Sequence, residues 1–364
     1  MNKRKLLLVL ENFAVGGAQN MVYELAKNIN QDEYSVQVLC YGKKIDNFLS
    51  ANVGEIFPVD YLNFEGKITI PKIFKVFKKL NEYKPDVIHA HLGGVAFAVI
   101  WGLLKSKTVV ATVHTKPEKA FSNTVQRFVK MALKRRKLML VAVSKENYDF
   151  VKQYYSISDD AFYVNNGIDT ERFFSKAHDN FTVVHVGRQD ENKNQSALIR
   201  SFSKLHKENP EALLYLVGDG ELNCRLKEEA EALGLANSVI FTGNVQNTED
   251  YYAKSDLYVQ CSHREAMPLS ILEAMAASLP IVSTSVGGIA DVVNGNGFLV
   301  PDNSDEELTN AMLKIMNMPK ADLELLKNKS IEIVDDYSSK KMGERYMAIY
   351  EECIKRNGKI CGEK

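Results

Sequence analysis

Short apolar runs rich in Val, Ile and Leu alternate with longer stretches of helical period along the chain. In the first half, Leu6–Leu10, Ser35–Cys40, Val87–His91, Val109–His114, Leu138–Val143 and Ala161–Val164 read as strands. The alternation resumes with Thr182–Val186, Leu213–Val217, Val239–Thr242, Leu257–Gln260 and Pro280–Ser283. Continuous apolar strands separated by helices predict parallel sheets covered on both faces. Two such series predict an α/β fold of two Rossmann-like, doubly wound domains.

The polar stretch Ser175–Asn180 lacks periodicity and is taken as the linker. It divides the chain into a first domain, 1–174, and a second, 175–338. Beyond Ser338-Ser339, a candidate cap, Met342, Tyr346, Ile349, Tyr350, Cys353 and Ile354 recur at helical spacing. They predict a long amphipathic helix over about 339–364.

Composition changes this picture little. The 364 residues exceed a usual single core, and 46 basic residues balance 46 acidic ones. Zero net charge gives no global pull toward nucleic acid. Cys40, Cys224, Cys261, Cys353 and Cys361 are scattered and odd in number, which argues for reduced thiols in a cytoplasmic protein and against a zinc site. Leu6–Leu10 is too short for a signal-peptide core or a membrane span.

Charge is patterned locally. In Pro71–Leu80, Ile73, Phe74, Phe77 and Leu80 interleave with Lys72, Lys75, Lys78 and Lys79. In Ser122–Leu138, Val125, Phe128, Val129, Ala132 and Leu133 form an apolar face beside Arg127, Lys130, Lys134, Arg135, Arg136 and Lys137. Either stretch alone is readily a core-facing helix with a solvated basic face. Two in one neutral protein suit peripheral contact with an anionic membrane, on the inner face of the cell membrane.

The candidate chemistry sits at strand ends, where ligands bind in such sheets. Gly16-Gly17 follows the first strand and opens a helix, allowing close backbone approach to an anion. Arg188 and Lys193 share the turn after the first strand of the second domain, a pair suited to a diphosphate. His114 ends a strand and faces a loop, placed to bond a sugar or assist at the reacting centre. His89, His91 and His185 lie within strands and are read as structural. Glu265 falls in a loop and Glu273 about one turn into a helix, with Pro268 as the helix start between them. The amides after Pro268 form a pole for phosphate. This layout suits a ligand with hydroxyls at both ends and phosphate in the middle, as in a nucleotide sugar. No Asp-x-Asp pair occurs, so no metal and no cofactor is expected.

In order and spacing these residues resemble the retaining glycosyltransferases of family 4. The resemblance runs through Gly16-Gly-Ala, Val113-His-Thr115, Val143-Ser-Lys-Glu146, Asn166-Gly-Ile-Asp169, Gly187-Arg188 with Lys193, Val217-Gly-Asp-Gly220, Phe241–Val245, Glu265 with Glu273, Val286-Gly-Gly-Ile289 and Asn296–Pro301. It implies the GT-B architecture, two Rossmann-like domains facing a cleft, with the C-terminal helix returning to the first. It implies that the second domain binds the donor and the first takes the acceptor. It further implies that Arg188 and Lys193 bind the donor diphosphate, Glu265 the sugar and Glu273 the ribose. Met267, Leu269 and Ser270 would line sugar and phosphate, and the segment at Val245 would meet the base. Gly16 and Gly17 would approach the diphosphate, and His114 the sugar. Ala266, Ser278-Leu279, Asp291 and Gln19 depart from the family pattern and bear on sugar preference.

The expected activity is transfer of a hexosyl or N-acetylhexosaminyl group from a nucleoside-diphosphate sugar to an acceptor, expected to be a lipid-linked saccharide of bacterial capsule, exopolysaccharide or lipopolysaccharide assembly. The alternatives are a sugar-nucleotide epimerase of the same architecture and a non-catalytic subunit partnering a membrane enzyme.

Overall fold

A computed structural model of the chain describes residues 3–14, 16–265 and 267–359, without the side chains of Phe48 and Lys359. Val15, Ala266 and residues 360–364, Cys361 among them, lie outside the described residues. The chain forms two compact units, residues 1–167 with 339–364, and residues 168–338.

In the first unit the elements are β1 (Arg4–Leu10), α1 (Gly17–Lys27), β2 (Tyr34–Cys40), α2 (Phe48–Ile56), β3 (Val59–Tyr61), α3 (Ile70–Tyr83), β4 (Val87–His91), α4 (Gly94–Lys105), β5 (Val109–Val113), α5 (Pro117–Ala120), α6 (Asn123–Lys134), β6 (Leu138–Ala142), α7 (Lys145–Tyr155) and β7 (Ala161–Tyr163). The sheet is parallel, in the order β3-β2-β1-β4-β5-β6-β7. Its strands are continuous apolar runs because helices cover both faces. One core includes Leu6, Leu8, Val38 and Met21, and the other Leu7, Ile88, Phe97 and Val129. Ser144 caps α7 by accepting the Asn147 amide at 3.1 Å, and Asn147 Nδ2 donates to the Val113 carbonyl at 2.8 Å. The turn from Ser144 to Asn147 therefore ties the start of α7 to the end of β5.

The second unit contains β8 (Thr182–Val186), α8 (Gln195–Glu208), β9 (Leu213–Val217), α9 (Asn223–Ala232), β10 (Val239–Gly243), α10 (Glu249–Ala253), β11 (Leu257–Gln260), α11 (Leu269–Ala276), β12 (Ile281–Thr284), β13 (Gly297–Val300), α12 (Asp305–Met316) and α13 (Lys320–Asp335). Its parallel order is β10-β9-β8-β11-β12-β13. Each sheet reverses its winding once, at β1/β4 and at β8/β11, and that switch point is where such sheets open a crevice for ligands.

The unit boundary differs from the sequence estimate at 174/175. Ile168 and Phe173 are buried in the core beneath α11, so residues 168–174 belong to the second unit. The polarity of Ser175–Asn180 drew the estimate too late. After α13 the chain enters α14 (Ser339–Lys359), which packs on the first unit. Met342, Tyr346, Ile349, Tyr350 and Cys353 join the core around β1. Tyr350 hydroxyl meets His89 Nδ1 at 2.7 Å, and Tyr346 hydroxyl lies 3.1 Å from Thr112 Oγ1.

The second basic stretch is shorter than its sequence pattern. The helix stops at Lys134, Arg136 turns left-handed at φ 53°, and Leu138 starts a strand. Arg136 faces Asp159 at 3.7 Å, while Lys137 Nζ donates to the Ser106 carbonyl at 2.8 Å. Arg135, Arg136 and Lys137 thus lie in a turn. No described helix is long and apolar enough to cross a membrane.

Candidate active site

At the second unit's switch point, the turn after β8 is organised by Asp190, which is 8% exposed. Its Oδ2 accepts from Arg188 Nε at 2.7 Å and Nη2 at 2.6 Å, and its Oδ1 accepts the Lys193 amide at 3.0 Å. Burial alone would raise the Asp190 pKa, but these donors and nearby charges hold it below the ordinary value. Arg188 is oriented by this contact, yet its side chain remains 77% exposed. The turn sits close against the next strand end: the Gly187 amide donates to the Val217 carbonyl at 2.9 Å. Gly218 stands opposite at φ 123°, where a Cβ would collide with the Gly187 carbonyl.

The loop after β11 is fastened to this turn. The His263 amide donates to the Asn192 carbonyl at 2.8 Å, and Asn192 Nδ2 to the Arg264 carbonyl at 2.9 Å. This brings Glu265 Oε1 to 2.6 Å from Lys193 Nζ, with both side chains largely buried. Gln260 Nε2 also donates to Glu265, at 3.0 Å. The family resemblance gives Lys193 the diphosphate and Glu265 the sugar; here the two side chains form one ion pair.

Pro268 is the N-cap residue, in extended conformation, and α11 begins at Leu269. It stands one position before the first turn that the sequence assigned to it. Proline is tolerated at either place, since no helical hydrogen bond needs its amide. Glu273 lies one turn in, as expected. Its carboxylate accepts from the Tyr252 hydroxyl at 2.9 Å. Burial raises the Glu273 pKa, while the Tyr252 hydrogen bond and the Arg172 charge pull the other way. The Tyr252 hydroxyl is also 3.2 Å from the Ser270 carbonyl. The Tyr258 hydroxyl is 2.8 Å from Ser270 Oγ and contacts Gln260. One polar network therefore runs from Lys193 through Glu265, Gln260, Tyr258 and Ser270 to Tyr252 and Glu273. Met267 and Leu269 rest partly buried on the apolar cluster beneath α11.

Beside this network is a cavity of about 380 Å³, lined by Arg188, Gly218, Asp219, Asn244, Val245 and Thr248 among others. It lies at the carboxyl ends of β8, β9 and β10 and falls within the size range of small-molecule pockets. Arg188 and Val245 share it; Lys193, Glu265, Ser270 and Glu273 belong to the polar network instead, and Met267 and Leu269 to the apolar cluster beneath α11.

In the first unit, Gly16 directly precedes α1, and the space beside Gly17 is open. His114 follows β5, and its Nε2 is 3.3 Å from His91 Nδ1. His91 is fully buried, and its Nε2 has no partner among the described residues. Burial lowers the His114 pKa to about 4 and that of His89 to about 3, and it takes His91 well below the ordinary value. These imidazoles are neutral near pH 7 and can exchange hydrogen bonds but carry no charge. His89 is structural, held by Tyr350 and by Thr112 at 2.7 Å. His185 is likewise tied to the Val259 carbonyl at 2.8 Å.

Sequence reasoning missed Asp190, Tyr252, Tyr258 and Gln260. Asp190 carried a signal, an aspartate two positions after an arginine in a strand-end turn. The others look like ordinary core positions of β11 and α10. Among the described residues, no three His, Cys, Asp or Glu gather as a metal site would need. The four described cysteines, Cys40, Cys224, Cys261 and Cys353, are free.

Comparison with known proteins gives this geometry a family. The model of Glycosyltransferase Family 4 matches residues 15–172, and that of Glycosyl transferases group 1 matches residues 168–330. An Escherichia coli UDP-Gal:alpha-D-GlcNAc-diphosphoundecaprenol alpha-1,3-galactosyltransferase is 22% identical, over 93% of this chain and 95% of the relative. A Campylobacter jejuni alpha-1,4-N-acetyl-D-galactosaminyltransferase, named for a polyprenol-diphosphate-linked glycan, is 25% identical over 89% and 92%. The crystal structure of Anabaena HepE in complex with UDP superposes with a TM-score of 0.80 at 21% identity, covering 96% of this chain and all of that one. Four other relatives are matched over 46–59% of their own length, so the chain spans about half the length of those proteins. With one model over each parallel-sheet unit, the chain belongs to the glycosyltransferases of family 4 and group 1, with the GT-B fold.

Proposed function

We propose that this chain is a retaining, metal-independent glycosyltransferase that moves a sugar from a nucleoside-diphosphate donor to a lipid-linked saccharide. The observation that carries the reading is the polar network joining Lys193, Glu265, Ser270 and Glu273 beside the cavity at Arg188. The base and ribose occupy the cavity near Val245, with Glu273 accepting from ribose hydroxyls. Arg188, Lys193 and the first-turn amides of α11 hold the diphosphate. Met267, Leu269 and Ser270 line the sugar and phosphate, and Glu265 takes the sugar hydroxyls.

As the glycosidic bond to the diphosphate breaks, positive charge grows at the anomeric carbon and negative charge on the leaving oxygen. Arg188, Lys193 and the helix start oppose the second, and Glu265 stabilises the first. Such preorganised charge is commonly the largest catalytic contribution, and losing one contact costs about 3 kcal/mol. The acceptor hydroxyl attacks from the leaving-group side and its proton passes to the departing phosphate, which retains configuration. The first unit takes the acceptor, with His114 bonding the sugar as a neutral imidazole and Gly16-Gly17 approaching the diphosphate. The lipid-linked acceptor, polysaccharide assembly and a place at the inner face of the cell membrane are supported by the named acceptors of the Escherichia coli and Campylobacter relatives and by the basic face of α3.

The test is to incubate UDP-, GDP- and ADP-sugars with a polyprenyl-diphosphate-linked saccharide and follow the sugar by mass spectrometry. The expected product carries the sugar on the acceptor, with a UDP donor preferred. A sugar that is altered but stays on nucleotide would establish an epimerase instead.

A further inference from the structure

Strand β4 ends on His89-Ala90-His91, and β5 runs beside it in parallel with His91 opposite Thr112. Side chains alternate along a strand, so His89, His91 and Thr112 share one face of the sheet. His114 stands two positions beyond Thr112, just past the end of β5. His89 is engaged at both ring nitrogens, by the Tyr350 hydroxyl and by Thr112 Oγ1, each at 2.7 Å. Its ring lies against the His91 ring, with centroids 4.1 Å apart.

His91 is held differently. It is fully buried, and its hydrogen bond among the described residues joins Nδ1 to His114 Nε2 at 3.3 Å. Its Nε2 is buried with no partner among them. That orphan decides which nitrogen carries each proton. A neutral imidazole has one N–H and one bare nitrogen, and the bond made by one nitrogen sets the state of the other. If His114 Nε2–H donated, His91 would accept at Nδ1 and carry its own proton on Nε2, as a buried N–H with nothing to receive it. If His91 Nδ1–H donates, the orphan is a bare nitrogen. Orphaned N–H groups are the rarer of the two in protein interiors. The ionisable groups acting on His91 are His89 and His114, and neither is a carboxylate that would take an Nε2–H.

The second arrangement leaves His114 with a bare Nε2 toward His91 and a protonated Nδ1. His114 is partly exposed, and its Nδ1 makes no hydrogen bond among the described residues. The Nδ1–H is therefore the group it has left to offer a ligand.

We propose that His91 is a positioning residue for His114, holding it in the Nδ1–H form so that it meets the sugar as a hydrogen-bond donor and not as a base. The oxygen it suits is an acceptor, a sugar hydroxyl or the carbonyl of an N-acetyl group. This rests on the reading of His114 as a sugar ligand above and assigns the direction of that bond. It also agrees with a mechanism in which the acceptor's proton passes to the departing phosphate.

The test is nitrogen-15 NMR of the histidine-labelled full chain at pH 7, with His114→Asn to assign the His114 resonances. Protonated Nδ1 and bare Nε2 are expected at both His91 and His114 in the native chain. His114 protonated at Nε2, or an even mixture of forms, would overturn the proposal. In His91→Leu, or His91→Phe if that variant does not fold, His114 should relax to a mixture of forms. There kcat/KM for nucleoside diphosphate release from the best UDP-, GDP- or ADP-sugar should fall about five-fold or more, with UDP affinity unchanged. A variant that keeps the native His114 form, or one that loses it with kcat/KM unchanged, would also overturn the proposal, since a merely structural His91 would alter stability alone. The expected native spectrum in a chain that transfers no sugar would instead overturn the transferase reading.

Discussion

Lys193 and Glu265 neutralise each other at 2.6 Å, and Arg188 is held by Asp190. Each cation proposed to bind phosphate is thus partnered by a carboxylate, with which a diphosphate would compete. Glu265→Gln should tighten binding of free nucleoside diphosphate several-fold by releasing Lys193, while abolishing transfer; calorimetry and a transfer assay separate the two effects. Asp190→Asn should lower transfer by about ten-fold or more, because the guanidinium and the turn lose their common anchor. Glu273 supplies a test of opposite sign. Its raised pKa means the folded state binds its proton more readily than the unfolded chain does. Stability therefore falls as pH rises from the ordinary glutamate value through the raised one. Glu273→Gln removes that loss, so its denaturation midpoint should exceed the native one increasingly as pH rises through that window and by a constant amount above it, with weaker donor binding.

Helix α14 is the element whose packing was least readable. Its apolar stripe was plain, but the hydrogen bonds of Tyr346 and Tyr350 to strand residues depend on a sheet far away in sequence. Tyr350→Phe leaves a buried His89 nitrogen unpaired and should cost about 1–3 kcal/mol in chemical denaturation. Tyr350 is itself fully buried, so a neutral result would contradict the packing described. Strands β3 and β13 escaped the sequence pattern because both are short edge strands. Their residues are largely half-buried, which leaves no continuous apolar run to detect. Interior strands such as β4, β5, β6, β11 and β12 are buried along their length and could be read almost residue for residue. The same contrast holds in the site. Arg188, Lys193, Glu265 and Glu273 stand out by charge at strand and helix ends. Tyr258 and Gln260 sit within Leu257–Gln260, where their packing role hides their polar one.

Across the whole molecule, neutral buried histidines link stability to acid. His89, His114 and His185 have pKa values near 3, 4 and 4, and His91 is also lowered. Below about pH 6.5 the unfolded chain binds these protons and the folded chain does not, so stability is lost as pH falls toward 4. Each such histidine contributes a slope of up to about 1.4 kcal/mol per pH unit. Denaturation midpoints measured from pH 7 to pH 4.5 should fall steadily, and His89→Asn should flatten the profile. The two-unit plan was legible because parallel strands repeat one pattern twice; the boundary was not, because residues 168–174 are set by their packing beneath α11. We propose that the network at Arg188, Lys193, Glu265 and Glu273 holds a sugar nucleotide for transfer. Acceptor-dependent release of nucleoside diphosphate tests it most directly, comparing the native chain with folded Arg188→Ala and Glu265→Ala. Release is expected in the native chain, with at least about a hundred-fold loss in both variants; full activity in either would overturn the site assignment.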